Sequence, residues 1–70
     1  MNSLFELIYE HIRLYGAMNY NAIRKLALQY FQTCPPADSQ IKACLYCMEK
    51  NGLVYHRGFR WYSLDNDDIE

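Results

Sequence analysis

Apolar residues recur at helical spacing in three stretches of this chain, and the first stretch begins almost at the N-terminus. It predicts a helix from Ser3 to Tyr15, because residues three and four positions apart share one face of a helix. Gly16 follows directly, and a glycine just past an apolar stripe is typical of a helix end. The predicted core face of this helix comprises Leu4, Phe5, Ile8, Ile12 and Tyr15.

The second stretch predicts a helix that Asn19 or Asn21 caps and that ends at about Phe31 or Gln32. Two prolines follow shortly afterwards and prevent the helix from continuing. Between the first two helices, Ala17-Met18 is a short link that we expect to pair as a single bridge of strand. The predicted apolar face of the second helix comprises Ile23, Leu26, Ala27 and Tyr30.

The third stretch predicts a helix capped by Asp38 or Ser39, which runs to about Lys50 and ends at Asn51-Gly52. Its two faces differ in character. The predicted core stripe comprises Ile41, Cys44, Leu45 and Met48. The opposite face is polar and carries two positive charges and one aromatic ring: Ser39, Lys42, Ala43, Tyr46 and Lys50.

Residues 53–56 and 59–64 are rich in β-branched and aromatic side chains. With Arg57-Gly58 between them they predict a β-hairpin. Alternation along the second strand puts Phe59, Trp61 and Ser63 on one face and Arg60, Tyr62 and Leu64 on the other. If the first set faces inward, Trp61 belongs to the core. If the second set does, Phe59 and Trp61 are exposed and form a binding surface.

Length and composition indicate one small domain, which we assign to residues 1–64, followed by an acidic tail at residues 65–70. No apolar run approaches the length of a membrane-spanning helix, and the N-terminus lacks the features of a signal peptide. The three cysteines are an odd number, which favours reduced thiols over a disulfide framework. We therefore expect an intracellular protein, cytoplasmic or nuclear, with no membrane contact.

The net charge of −1 hides a segregation of charge along the chain. Residues 39–64 carry four basic side chains against one acidic one, a net of +3, and residues 65–70 carry a net of −4. A basic C-terminal half points to an anionic partner more directly than the overall charge does. The acidic tail either stays in solvent, the interpretation we favour, or folds back on the basic face.

The order of predicted elements and the stretch IKACLYCMEKNGLVYHRGFRWYSL, from Ile41 to Leu64, resemble the winged helix-turn-helix superfamily. The shared pattern is an amphipathic third helix, a Lys-x-Gly stop, a GLV strand and a return strand with aromatic residues. The resemblance implies an α+β fold: a single winged helix-turn-helix, three helices followed by a β-hairpin wing. It also implies DNA binding, with the third helix in the major groove and the wing on the backbone or minor groove.

Leu45-Tyr46-Cys47-Met48 and Arg60-Trp61-Tyr62 resemble, more narrowly, the Zα family of winged helices, which bind Z-DNA or Z-RNA. That resemblance implies that Tyr46 packs on a syn base and that Trp61 supports it and contacts the backbone. The chain departs from the family pattern at Lys42, where the family has Asn, and at Phe59-Arg60, where it has two prolines.

These features predict a small DNA-binding protein, a transcriptional regulator or an accessory factor of a virus or mobile element. The predicted partner is double-stranded DNA, with RNA or a Z-form duplex as further candidates. Phosphate contacts need cations fixed on one surface. The candidate binding residues are Ser39, Lys42, Ala43, Tyr46, Lys50, Arg57, Arg60 and Trp61. Because this footprint is small and the pI is about 6.0, a homodimer through Leu7 and Leu14 on a two-fold site would strengthen binding.

The alternative is a protein–protein interaction module on a winged-helix frame with no nucleic-acid binding. Seven tyrosines favour it, since tyrosine is enriched at interfaces. The three cysteines and His56 are a set that could hold zinc or an iron–sulfur cluster, but buried cysteines more often pack as small hydrophobes. We expect no metal and no cofactor. No nucleophile–base pair, paired carboxylates or phosphate loop is visible, so we expect no enzyme activity.

Overall fold

The computed structural model describes residues 3–64, and it has an α+β fold in which three helices precede a small antiparallel hairpin. The predicted acidic tail, residues 65–70, lies outside the described residues. The elements in chain order are α1 (Ser3–Tyr15), β1 (Met18–Asn19), α2 (Tyr20–Tyr30), α3 (Asp38–Lys50), β2 (Val54–Arg57) and β3 (Arg60–Ser63). Within residues 3–64, none of the helices is both long enough and apolar enough to cross a membrane.

The three strands form one antiparallel sheet in the order β1-β3-β2. The link after α1 does pair, but one residue later than predicted and through two residue pairs, Met18 opposite Trp61 and Asn19 opposite Arg60. In the hairpin, Val54 lies opposite Ser63, and both are buried. Residues directly opposite one another share a face of an antiparallel sheet, so this pair defines the face that packs on the helices.

The core lies where α1, α2, α3 and the inner face of the hairpin meet. All four residues of the predicted α3 core stripe are buried, at 5% exposure or less. Burying each large aliphatic side chain contributes roughly 1.5–3 kcal/mol relative to leaving it in water. The buried apolar residues are Leu4, Ile8, Ile12, Ile23, Ala27, Ile41, Cys44, Leu45, Met48 and Val54.

Two tyrosines predicted to face the core are exposed instead. Tyr15 is 75% exposed and Tyr30 is 67% exposed. Each is the last residue of its helix, Tyr15 of α1 and Tyr30 of α2. Their rings lie against neighbouring rings, Tyr15 at 4.6 Å from His11 and Tyr30 at 5.3 Å from Phe31, measured between centroids. The helical spacing was right, but it extended the apolar face one turn too far.

The helix ends follow the local chemistry, with one correction. Asn19 is the cap of α2, and its side-chain oxygen accepts a 2.8 Å hydrogen bond from the Ala22 backbone N–H. The cap of α3 is Ala37, not Asp38 or Ser39. The Gln40 side chain accepts from the Ala37 N–H at 2.9 Å, which is half of a capping box, and this arrangement lets Asp38 enter the first turn.

The hairpin turn is one residue later than predicted. Arg57 pairs with Arg60, so the two turn residues are Gly58 and Phe59, and Arg57 belongs to β2. Gly58 has φ +64°, a value that glycine adopts without strain. Glycine at the first central position is what a type II′ hairpin turn requires. The shift matters because it moves Phe59 from the strand to the tip.

Candidate nucleic-acid interface

The outward face of α3 presents a row of basic and aromatic side chains. Lys42, Tyr46 and Lys50 are spaced by four residues, so they follow one another along the same side of the helix. All three are exposed, as are Ser39 and Ala43 on the same face, and Tyr46 is 64% exposed. The five α3 residues predicted for binding therefore share one solvent-facing surface.

Each lysine of this row is close to a tyrosine ring. The Lys42 Nζ lies 5.7 Å from the centroid of Tyr20, and the Lys50 Nζ lies 5.8 Å from the centroid of Tyr46. A cation within about 6 Å of an aromatic face is attracted to it without losing its charge. These contacts limit the motion of both ammonium groups and keep them on the α3 surface, available to an anionic ligand.

The first turn of α3 is joined to α2 through the carboxylate of Asp38. The Tyr20 hydroxyl donates to Asp38 Oδ1 at 3.0 Å, and the Arg24 Nε donates to the same oxygen at 3.1 Å. A carboxylate in the first turn of a helix is also stabilised by the helix dipole. Asp38 thus sets where α3 begins relative to α2 and forms an ion pair with Arg24.

The same contact shifts two pKa values in opposite directions. The hydrogen bond from Tyr20, assisted by the charges of Arg24 and Lys42, holds the pKa of Asp38 below its ordinary value. Partial burial, followed by the hydrogen bond to the Asp38 carboxylate, raises the pKa of Tyr20. The contact therefore favours a charged carboxylate and a neutral phenol across the neutral pH range.

A groove of about 340 Å³ runs between α3 and the hairpin. Lys42 and Tyr46 line it from the helix, and Phe59 and Trp61 line it from the hairpin, with Tyr20, Leu45, Glu49, His56 and Gly58 completing its walls. The hairpin is held against α3 by His56, whose Nδ1 lies 2.8 Å from Glu49 Oε2. One wall of this groove is thus the exposed face of α3, and the other is the tip of the hairpin.

The structure settles the orientation of Trp61, which the sequence left open. Trp61 lies opposite His56 on the inner face of the hairpin, is half-buried and packs against the core. Its ring centroid is 4.8 Å from that of His56. Trp61 still reaches the surface, because one side of it lines the groove. Trp61 therefore forms part of the groove wall and is not a fully exposed side chain at the surface.

Arg57 and Arg60 lie on the other face of the hairpin. They are exposed and directly opposite one another, next to a stacked pair of rings, Tyr55 and Tyr62, with centroids 5.1 Å apart. Neither arginine lines the groove. The four predicted cations therefore form two pairs, lysines on α3 and arginines on the hairpin. The turn between the arginines borders the groove that Lys42 lines.

The three cysteines are all free thiols, and they differ in exposure. Cys44 is buried, whereas Cys34 and Cys47 are exposed. All three border an apolar depression between the start of α1, the α2–α3 connection and α3. Within residues 3–64, no group of three cysteine, histidine or carboxylate side chains is placed to hold a metal ion.

A further groove lies along α1, and its lining includes both apolar side chains and the carboxylates of Glu6 and Glu10. Leu7 is half-buried and Leu14 is 62% exposed. Together with Tyr15 and Tyr30 they line a groove of about 420 Å³. The two leucines predicted to form a dimer patch thus share one surface. Tyr15 and Tyr30, which were predicted to face the core, extend that surface.

Comparison of the chain with protein-family models, with curated proteins and with solved structures returned no match. The contact that sequence reasoning missed is that of Tyr20 with Asp38, which lie 18 positions apart and have no shared signature in the sequence. The sequence left the exposure of Phe59 open, and its place at the hairpin tip depended on placing the turn correctly.

Proposed function

We propose that this chain is a winged helix-turn-helix protein that binds double-stranded DNA, with α3 in the major groove and the hairpin as the wing. The observation that carries the proposal is the exposed row Lys42–Tyr46–Lys50 beside a groove that the hairpin tip closes. A helix fits the major groove of B-DNA, and a row of cations along it meets the phosphates at the groove's edge. The biological role we propose is that of a transcriptional regulator or an accessory factor of a virus or mobile element.

Charge supports the proposal beyond α3. The described part of the chain places basic side chains on both α3 and the hairpin, and its acidic residues on these elements are already engaged. Asp38 binds Tyr20 and Arg24, and Glu49 binds His56. Within residues 3–64, no lysine or arginine of α3 or the hairpin forms an ion pair with a carboxylate, although Lys42 lies close enough to Asp38 for its charge to act on that carboxylate. Cations without an ion-pair partner can take part in salt-dependent binding to a polyanion.

The experiment that tests this proposal is fluorescence anisotropy with three labelled probes, each at two salt concentrations. The probes are a mixed-sequence B-DNA duplex, an alternating CG duplex under Z-forming conditions and an RNA duplex. Salt-dependent binding that is tightest to B-DNA supports the proposal. Tightest binding to the CG duplex reassigns the protein to recognition of Z-form nucleic acid, and tightest binding to RNA reassigns it to that partner. No binding to any probe at tens of micromolar in low salt contradicts it.

We also propose that the protein dimerises through the α1 surface of Leu7, Leu14, Tyr15 and Tyr30. The exposure of Leu14 and both tyrosines favours this, because a patch that the monomer leaves in water is stabilised when a second copy covers it. Two-fold symmetry would then present two α3 helices to one duplex and double the cationic footprint.

The α1 surface also favours an alternative function, that of a protein–protein interaction module with no nucleic-acid binding. The two functions are separable by substitution. A polar residue at Leu14 removes a protein contact of either kind, whereas removal of Lys42 and Lys50 removes only a nucleic-acid contact.

A further inference from the structure

The tip of the hairpin exposes a phenyl ring at a turn position where polar side chains are more common. Phe59 is the second turn residue and is 89% exposed. In two-residue turns that begin with glycine, the second position commonly holds Asn, Asp or Ser. Phenylalanine is therefore not needed to form this turn, and exposure of its ring to water is unfavourable. A single exposed ring is ordinary by itself, so its surroundings decide its meaning.

The residues on either side of the turn are two arginines that face each other. Arg57 and Arg60 are direct partners across the hairpin, on one face of it, and like charges in that position are destabilising. Neither guanidinium has a hydrogen-bond or ion-pair partner among residues 3–64. The carboxylate that touches the hairpin, Glu49, is paired with His56 at 2.8 Å. The pair of arginines is thus a site that an external anion would stabilise.

The tip is firmly held and belongs to the same surface as α3. β3 is the central strand of the sheet, and Arg60 is paired on both sides, with Arg57 and with Asn19. Only Gly58 and Phe59 extend beyond the paired residues. Phe59 lines the groove that Lys42 and Tyr46 line from the helix. A ligand on the α3 face therefore lies next to the Phe59 ring.

We propose that Phe59 acts as a wedge: it inserts between two adjacent base pairs from the minor groove, while Arg57 and Arg60 contact the flanking phosphates, and the DNA bends. This inference rests on the proposed function. Apolar side chains inserted in this way partly unstack a base step and kink the duplex. Pyrimidine–purine steps such as TA unstack most readily, whereas A-tracts are stiff. The protein should therefore prefer a site with a TA step under the hairpin tip.

The test compares two duplexes of equal length, one with a central TA step and one with an A-tract at that place. Each carries dyes at its ends to report bending by energy transfer, and a version of the first carries 2-aminopurine at the TA step to report unstacking. The variants are Phe59→Ala and the conservative Phe59→Leu, which retains an apolar wedge. Circular dichroism and sedimentation velocity test whether both variants keep the fold and the oligomeric state, which is the result expected for a side chain so exposed.

Wild type is expected to bend the TA duplex, raise the 2-aminopurine fluorescence and bind TA roughly tenfold more tightly than the A-tract. Phe59→Ala is expected to bind both duplexes equally without bending, and with the wild-type dependence on salt. Phe59→Leu is expected to retain part of the bending that wild type produces. Unchanged bending and preference in Phe59→Ala would overturn the wedge and leave DNA binding intact. A changed sedimentation coefficient in Phe59→Ala would overturn it in favour of a protein contact. Absence of salt-dependent binding by wild type would reject the proposed function itself, and the wedge with it.

Discussion

The hydroxyl of Tyr20 lies 3.0 Å from Oδ1 of Asp38 and joins the first turn of α2 to the first turn of α3. The helix that carries the candidate binding face is therefore positioned by a contact at one end and by the His56–Glu49 contact toward the other. Both contacts place polar groups at the rim of the groove between α3 and the hairpin.

The Tyr20–Asp38 contact predicts loss of stability at both ends of the pH range. The pKa of Asp38 is lowered in the folded protein, so the stability it contributes is complete above its ordinary pKa of 3.8 and is lost as the pH falls below that value. The pKa of Tyr20 is raised, so its contribution is complete below 10.0 and is lost as the pH rises above that value.

Urea unfolding across the pH range measures the loss of stability in acid and the loss in alkali. Asp38→Asn is expected to reduce the loss of stability in acid, and Tyr20→Phe to reduce the loss in alkali. Glu6→Gln is a matched control for the loss in acid, because that exposed carboxylate has no hydrogen-bond partner among residues 3–64. If Asp38→Asn loses as much stability in acid as wild type does, the Tyr20–Asp38 contact does not persist in solution.

The lysine row predicts a defined change in the salt dependence of DNA binding. Lys42→Ala and Lys50→Ala are each expected to lower the slope of log K against log salt by about 0.9, the value for one phosphate contact on B-DNA. The matched control is Lys25→Ala, since Lys25 is exposed on α2 and lines neither the α3 groove nor the α1 groove. Equal effects of all three substitutions would indicate general charge attraction and no defined interface.

Tyr46 is predicted to act in binding and not in folding. Because its side chain is 64% exposed, Tyr46→Ala is expected to change the free energy of unfolding by no more than about 0.5 kcal/mol while weakening DNA binding. Tyr46→Phe separates the ring from the hydroxyl: retained affinity indicates stacking or packing, and lost affinity indicates a hydrogen bond. Thermal unfolding and anisotropy of the same samples measure the two effects. A Tyr46→Ala variant that binds like wild type would remove this residue from the interface.

The three cysteines are predicted to differ in how fast their thiols react in the native protein. Cys34 and Cys47 are exposed and Cys44 is 5% exposed, so a thiol reagent such as DTNB should modify two thiols rapidly in the native protein and the third only on unfolding. Peptide mapping identifies which two react. Rapid reaction of Cys44 in native conditions would mean that α3 does not pack against the core as described.

The α1 surface predicts concentration-dependent self-association. Leu14→Glu is expected to give a monomer in sedimentation velocity at concentrations where wild type is dimeric, because a charge cannot be buried unpaired at an apolar contact without a large desolvation cost. Gln29→Glu on the exposed side of α2 is the control for added charge. A monomeric wild type at high concentration would contradict the dimer.

Much of the fold was predictable because its signals are local. Helical spacing found α1, α2 and α3, and Gly16 and Gly52 marked two helix ends at positive φ. The core stripe of α3 was predicted completely. Alternation in a short strand is symmetric, however, so it could not decide whether Trp61 or Tyr62 faced inward. Only the pairing of Val54 with Ser63 decided that.

The site was predictable only where it lies on one element. The five residues of the α3 face were grouped correctly because one helix carries them all. The separation of Arg57 and Arg60 from the groove, and the contact of Tyr20 with Asp38, depend on how distant segments pack. Such relationships leave no periodic trace in a sequence. Phe59 was placed at the hairpin tip only once pairing had shown that the turn lies one residue later.

The most direct measurement is a two-dimensional amide NMR titration of the labelled protein with an unlabelled DNA duplex. DNA binding through α3 and the hairpin predicts chemical-shift changes concentrated at Ser39, Lys42, Ala43, Tyr46 and Lys50 on α3 and at Arg57, Phe59 and Arg60 on the hairpin. Amides around Leu7 and Leu14 should be unaffected at constant oligomeric state. Shifts confined to that α1 surface, or no shifts at all at low salt, would contradict a DNA-binding face on α3.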